Sequence, residues 1–356
     1  MNRPRHILIL LLGAIGDVTR ALPLAARIKS HQPDAKLLWA VEPKSLSVVD
    51  QHELVDKVVV FERNRGIPAY IDFVRALRKA EVDIVLDLQR HLKSGVTSWL
   101  TGAKRRIGFN RKNAKEFNWL FNTEYIPEVE NFSSKLEHYQ LFGDALELPR
   151  PEVLDFGIRP RNEMRASLET LLEQALVAKE RPERISGYAG LILGSSWPSR
   201  FWQAEYYQQL ATNLWATKNL LPVFLGGEGE RLFEQEIVGA LSAMPYVSLV
   251  GKTSLQDLFQ LFGLMRVAIG PDSGPMHIAA TAGIPVVSFW GATSPLRSAP
   301  YGSEQLVIQS PIGCAPCYRR ECPGLDRLCM KQITPKTVLA FVDQALEGSA
   351  NETPAL

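Results

Sequence analysis

Three short stretches carry residues whose types and spacing can do chemistry. In "GAIGDV", residues 13–18, a glycine-bearing turn joins an apolar run to a helical pattern and presents a carboxylate, Asp17. Such a turn usually receives an anion, because the first helical N–H groups lack partners and the helix dipole is positive there. A carboxylate would repel that anion, so Asp17 fits either a general base or a plain helix cap. In "SSWPSR", residues 195–200, the hydroxyls of Ser195 and Ser196 and the guanidinium of Arg200 follow a strand pattern. Those donors suit phosphate oxygens. In "GPDSGPMH", residues 270–277, Asp272, Ser273, Gly274 and His277 stand at a strand-to-helix junction. That junction suits a diphosphate or a sugar phosphate. The plainer alternative makes Asp272 a cap and His277 a buried, hydrogen-bonded residue. A fourth stretch, "FLGGEGE", offers close backbone approach at Gly226 and Gly227, with Glu228 or Glu230 as an acceptor for ribose hydroxyls. The chain has no Walker lysine signature, and "GAIGDV" departs from G-x-G-x-x-G. Nucleotide binding is therefore expected in the second half, leaving Asp17 for the other reactant.

The elements that must position these residues alternate between strand and helix. Nearly continuous apolar runs at "HILILLL", "KLLWAVE", "KVVVFE" and "VDIVLDL" read as parallel strands covered on both faces, and "YAGLILGSS", "LPVFLGG", "YVSLVG", "VAIGPDS" and "IPVVSFWG" repeat the pattern. Helices are expected over "WQAEYYQQLATNLWATK", over "SLQDLFQLFGL" with a near capping box at Ser254 and Asp257, and over "TPKTVLAFVDQALEG" with Thr334 as N-cap. Pro23 either begins or kinks the first helix. The expected division is a Rossmann-like domain at 1–155, a linker with a polar helix at 156–186, a second Rossmann-like domain at 187–333, a C-terminal helix at 334–348 and a frayed tail at 349–356. The fold class is α/β, two parallel sheets facing a central cleft, with ligands beyond the carboxyl ends of the strands.

Composition narrows the partners. A 356-residue chain with 46% hydrophobic and 22% charged residues is an ordinary two-domain globular protein. "ILILLLGAIG" is too short to span a bilayer and no small-residue cleavage site follows it, so a cytoplasmic protein is expected. Residues 1–150 hold 23 Lys+Arg against 18 Asp+Glu, a net of +5; subtracted from totals of 40 and 38, this leaves 17 against 20, or −3. Residues 90–115 contain eight Lys/Arg and no acid, either a solvated surface or one that faces an anionic partner such as a phosphorylated lipid headgroup or an acidic sugar. The segment lacks a recognition-helix or aromatic-platform pattern, which argues against nucleic acid. All four cysteines, Cys314, Cys317, Cys322 and Cys329, fall in one segment. Four thiols suffice for a structural zinc, with free thiols or disulfides as alternatives, and the cluster is expected to lie away from the chemistry.

The motifs "GAIGDV", "SSWPSRFW", "LGGEGE", "GKTSL", "DSGPMHIAATAGIPVVSFWG" and "CAPCYRRECPGLDRLCM" follow one another across nearly the whole chain. In that order they resemble the heptosyltransferases, which build the lipopolysaccharide inner core from ADP-heptose, and lean towards the heptosyltransferase II type. The resemblance implies a GT-B fold with the acceptor lobe first and the donor lobe second. It implies inverting transfer without a catalytic metal, with Asp17 deprotonating the acceptor hydroxyl and Arg200 on the donor diphosphate. Ser195, Ser196, Glu230, Thr253, Asp272, Ser273, Gly274 and His277 would bind the donor. Arg90, Lys93, Arg105 and Arg106 would meet the Kdo or heptose acceptor, a lipid A conjugate, with the enzyme peripheral on the inner leaflet. A two-lobed sugar-nucleotide epimerase and a non-catalytic nucleotide-binding scaffold are the rival readings.

Overall fold

Both halves of the chain build a core of six parallel strands in the same order, to which the second adds an edge strand. The computed structural model describes residues 5–351 apart from 51, 181, 242 and 243. It divides into two compact units, Met1–Ile158 and Arg159–Leu356.

The first unit holds six strands: β1 (His6–Leu10), β2 (Lys36–Val41), β3 (Lys57–Val60), β4 (Ile84–Asp87), β5 (Arg105–Gly108) and β6 (Glu124–Tyr125). They pair in the order β3-β2-β1-β4-β5-β6, all parallel. Ile7, Leu8, Ile9 and Leu10 are fully buried, as a strand covered on both faces requires. β5 lies inside the basic stretch. Arg105 reaches the carboxylate of Glu124 on β6 with two bonds, at 2.7 and 2.8 Å, and Arg106 donates to the carbonyls of Phe121 and Ala103. Two arginines at a strand start are thus paired locally, which is why "RRIG" forms a strand that hydrophobicity alone does not announce.

Three helices of this unit matter below: α1 (Ile15–His31), α2 (Leu92–Leu100) and α3 (Lys135–Ala145). Pro23 lies within α1, so the helix does not begin there. The far part of α1 is fastened to α3 by Arg27, a buried guanidinium. It donates to the carbonyls of Gln140 (2.8 Å), Pro149 (2.9 Å) and Leu148 and pairs with Asp144 at 2.7 Å. Gly143 leaves room for it, since a Cβ there would fall 2.5 Å from Arg27 Nη1.

The second unit contains β7 (Leu176–Val177), β8 (Gly187–Ile192), β9 (Leu220–Leu225), β10 (Tyr246–Ser248), β11 (Met265–Pro271), β12 (Val286–Trp290) and β13 (Val307–Gln309). The order is β13-β12-β11-β8-β9-β10-β7, parallel except for the antiparallel β10–β7 pair. The relevant helices are α4 (Asn162–Gln174), α5 (Ala204–Lys218), α6 (Leu255–Leu261), α7 (Gly274–Thr281) and α8 (Pro335–Asn351). The stretch read as a linker therefore supplies α4 and an edge strand, with Leu176 paired to Val247. The capping box at α6 is formed by Ser254 and Asp257, and Thr334 Oγ1 accepts from the N–H of Thr337 at the start of α8. Of the expected frayed tail, 349–351 continue α8, and 352–356 lie outside the described residues. Trp202 is a packing residue: it is fully buried, donates to the Ile333 carbonyl at 2.8 Å and lies 4.8 Å from the Phe289 ring.

Candidate active site

In each sheet the order in which parallel strands are added switches sides, between β1 and β4 in the first unit and between β8 and β11 in the second. Loops leaving the carboxyl ends of such a strand pair diverge and leave a crevice, where α/β sheets take ligands. Asp17 follows β1 and Asp87 ends β4; Ser195 and Arg200 follow β8 and Asp272 follows β11. Both sets of chemistry-bearing residues thus stand at switch points.

In the first unit Ala14 is the N-cap of α1 and Asp17 sits in its first turn, so Asp17 is not the cap. Its carboxylate accepts from Lys135 Nζ at 2.8 and 3.0 Å and from Arg20 at 2.5 Å. Burial works to raise its pKa, but the cations of Lys135 and Arg20 outweigh it and hold Asp17 well below the usual carboxylate range. Asp17 is thus an oriented carboxylate held in its charged form by two cations. Asp87 is the opposite case: burial pushes it up to about 6 against hydrogen bonds from Asn118, Ser94 and the Gln89 N–H. Gln89 in turn donates to the Gly13 carbonyl at 3.2 Å, linking the β4 loop to the "GAIGDV" loop.

The second unit gathers its residues around Asp272. Ser195 Oγ donates to the Asp272 carbonyl at 2.8 Å; Arg200 Nη1 reaches that carbonyl at 3.2 Å and the carboxylate at 3.1 Å. Thr293, from the loop after β12, donates to the same carboxylate at 2.6 Å. Arg200 stacks on the Trp197 ring at 4.2 Å. Burial lowers its pKa and Asp272 opposes that, leaving a cation fixed in the site. Asp272 is therefore not the cap; its carboxylate is held by Arg200 and Thr293. It positions Arg200, and Ser273 occupies the N-cap of α7. The Ser273 hydroxyl makes no cap bond, and both Ser273 Oγ and Arg200 Nε are buried without a hydrogen-bond partner among the described residues. Such groups cost free energy unless something satisfies them. Beside them the N-terminus of α7 begins at Gly274, and His277 is buried one turn further along.

Glu230 lies across the end of β8, its carboxylate accepting from the Gly227 N–H at 2.8 Å. Gly194 makes that possible: a Cβ there would stand 2.5 Å from Glu230 Cδ. Ser196 is exposed and Thr253 half-buried, and among the described residues neither side chain makes a hydrogen bond to this group. Of the four acceptor candidates, Arg105 and Arg106 are held by the pairs given above. Arg90 stacks over Phe109 at 4.8 Å and donates to the Asn113 carbonyl, and Lys93 is exposed on α2. Lys135, Arg20 and Thr293 were missed. Thr293 follows β12 and the strand-end rule reaches it; nothing in the sequence points to Lys135, 118 residues from Asp17.

Cys314 and Cys317 are exposed, Cys322 and Cys329 half-buried, and all four thiols are free. Among the described residues no three His, Cys, Asp or Glu side chains are gathered as a metal-binding group. The segment that carries the cysteines packs beside the loops of Arg200 and Thr293. Ser199, next to Arg200, bonds to the carbonyls of Arg319 and Arg320, and the Tyr318 N–H donates to Ala292, next to Thr293.

Residues 70–326 match glycosyltransferase family 9 (heptosyltransferase). The lipopolysaccharide core heptosyltransferase OpsX of Haemophilus influenzae is 27% identical over 311 residues, 86% of this chain and 84% of that protein. Lipopolysaccharide heptosyltransferase 1 of Pseudomonas aeruginosa is 25% identical, over 89% of this chain and 87% of that one. The structure of Escherichia coli ADP-heptose heptosyltransferase II superposes with a TM-score of 0.74 at 19% identity, covering 97% of this chain and 99% of that one, which shows the shared GT-B fold. With its two reversal-point sites and a match over most of its length, the chain belongs to glycosyltransferase family 9, the heptosyltransferases, and is a glycosyltransferase.

Proposed function

We propose that the protein transfers heptose from ADP-heptose to the inner core of lipopolysaccharide, with inversion at the anomeric carbon. The observation that carries this reading is the pair of unsatisfied buried donors, Ser273 Oγ and Arg200 Nε, beside the N-terminus of α7 in a family 9 chain. They suit the diphosphate of the donor, with Ser195 and Ser196 beside Arg200 and Glu230 towards the nucleoside. As the glycosidic C–O bond breaks, negative charge grows on the departing ADP and meets a fixed cation and a helix dipole. Arg200, Ser273 and the α7 N–H groups supply this stabilisation, and no metal is needed for it.

In the first unit the acceptor hydroxyl attacks the anomeric carbon while its proton passes to Asp17. A carboxylate held as low as Asp17 is a weak proton acceptor on its own. An acceptor bearing its own carboxylate or phosphate would draw Lys135 and Arg20 towards itself and raise the proton affinity of Asp17 as it binds. A Kdo-containing core has that chemistry. The acceptor is lipid-anchored, so the enzyme works peripherally at a membrane surface; among the described residues no helix is long and apolar enough to cross one.

The test is ADP release by the purified protein from ADP-heptose, with and without a Kdo–lipid A core acceptor. Acceptor-dependent release is expected. Equal release in its absence, or none with any core acceptor, would refute the reading.

A further inference from the structure

Resting on the lipid-anchored acceptor of that reading, we infer that α2 and the 3-10 turn Asn118–Phe121 form a surface that docks on an anionic bilayer leaflet. Leu92 and Trp99 are seven residues apart on α2, on one side of the helix. They are 40% and 56% exposed. Gly95 lies between them on that side, three residues after Leu92 and four before Trp99. The turn packs there: a Cβ on Gly95 would stand 2.9 Å from the Asn118 carbonyl oxygen and 3.1 Å from Phe121. The turn in turn exposes Leu120, at 58%, and is preceded by Phe117, at 69%.

Phe117 and Glu116 have φ of +59° and +52°, a left-handed backbone that is an outlier for a bulky side chain. The chain thus accepts strain where it presents an aromatic ring to solvent. Four large apolar side chains on abutting elements form a patch of the kind that marks an interaction site.

Charge selects the occupant. Lys93 and Lys115 are exposed beside this patch and carry no ion pair among the described residues, and Arg111 stacks on Trp119 at 5.2 Å. The carboxylate of Glu116 is held by His91 and the Leu92 N–H. Tryptophan and apolar side chains fringed by Lys and Arg match the interface of a leaflet rich in anionic headgroups. The surface also adjoins the acceptor side of the sheet. The Lys115 N–H bonds to the Arg90 carbonyl, and the neighbouring Gln89 bonds to Gly13 in the Asp17 loop. An enzyme seated this way holds Asp17 near the headgroup layer, where a lipid-anchored sugar presents its hydroxyls.

The experiment compares wild type with Trp99→Ser/Leu120→Ser, neither residue being part of the catalytic or sugar-binding set. Sedimentation is measured with phosphatidylcholine vesicles and with vesicles that also contain phosphatidylglycerol. Turnover is measured on a membrane-embedded and on a deacylated, soluble core acceptor. Wild type should bind the anionic vesicles and be released by salt. The double variant should bind them about tenfold or more weakly, lose turnover on the embedded acceptor and keep it on the soluble one. Quenching of wild-type emission by brominated lipid, reduced in the conservative variant Trp99→Phe, gives the same answer should the double variant misfold. Unchanged vesicle binding in a folded variant, no quenching difference for Trp99→Phe, or self-association of the chain through this face without vesicle binding would overturn the inference. Vesicle binding without turnover on either acceptor would overturn the transferase reading alone.

Discussion

Replacing Asp17 by Asn preserves the shape of the side chain and removes its charge and its proton affinity. Turnover should fall by about 10²–10⁴-fold, the usual contribution of a general base. Binding of ADP should not change, because the donor residues belong to the other unit. The substitution also leaves Lys135 and Arg20 without their counter-charge. Breaking a fully buried pair on one side costs about 3–5 kcal/mol. Lys135 is 26% exposed and can turn to water, which places the loss here at roughly 1–3 kcal/mol. Turnover must therefore be compared at a temperature where circular dichroism shows both proteins folded. The pH dependence separates a base from a structural anion. The folded-state pKa of Asp17 lies below its unfolded value, so the pairing stabilises the protein in full above about pH 4, the unfolded carboxylate value, and is lost as pH falls further. Wild-type turnover should accordingly show no acid limb from Asp17 near neutrality. In Lys135→Met, which removes the cation that lowers it most, an acid limb should move up in pH. The assay is acceptor-dependent ADP release across pH. An Asp17→Asn protein that is folded and retains more than about a tenth of wild-type turnover would show that Asp17 is no base.

Three further outcomes are expected. Asp87 has a folded pKa of about 6 against an unfolded value near 3.9, so the folded state binds the extra proton and its stability falls as pH rises between those values. Relative to Asp87→Asn, the wild type should therefore gain roughly 1–2 kcal/mol on going from pH 7 to pH 5, read from urea unfolding; parallel pH profiles would count against it. Gly194→Ala pushes a Cβ into the Glu230 carboxylate, a flexible group that can yield, so stability should change little. The KM for ADP-heptose should rise several-fold at nearly constant kcat, and an unaltered KM would separate Glu230 from the nucleoside. Cys322 is held below the usual thiol range by the backbone N–H groups of Arg327, Gly324 and Leu325, whereas burial, with the other three thiols adding, raises Cys329. Iodoacetamide should label Cys322 before Cys329 near neutral pH, as peptide mapping will show, and the reverse order would mean that these N–H groups do not govern thiol reactivity here.

Residues next to strand ends were legible in the sequence because the chemistry and the punctuation coincide there. Asp17, Ser195, Arg200 and Asp272 each follow a continuous apolar run, and the reversal of strand order explains why those loops face ligands. What each residue does was less legible. Asp272 reads as a cap from its place after β11, whereas Ser273 caps α7 and Thr293 and Arg200 hold the Asp272 carboxylate. Arg105 and Arg106 read as part of a basic surface because their partners, Glu124 and the Phe121 carbonyl, come from a later part of the chain. β5 was hidden for the same reason, since its first two residues are charged and held by Glu124 and by the Phe121 and Ala103 carbonyls. Lys135 could not be found from spacing at all, because its contact with Asp17 is created by helix packing.

The Arg27 clamp bears on how such a chain can diversify. α1 and α3 run alongside one another in the same sense, with Asp17 and Lys135 at their starts and Arg27 gripping Gln140, Asp144 and Leu148 further along. The alignment of Asp17 and Lys135 is thereby fixed by two helices, independently of the segment joining them. Insertions, deletions or wholesale exchange of surface loops in that segment can reshape what the first unit recognises without shifting the lysine relative to the aspartate. The clamp separates the placement of the Asp17–Lys135 pair from the loops around it, so that the surface of the unit can be rebuilt by exchange of loops while this ion pair keeps its geometry.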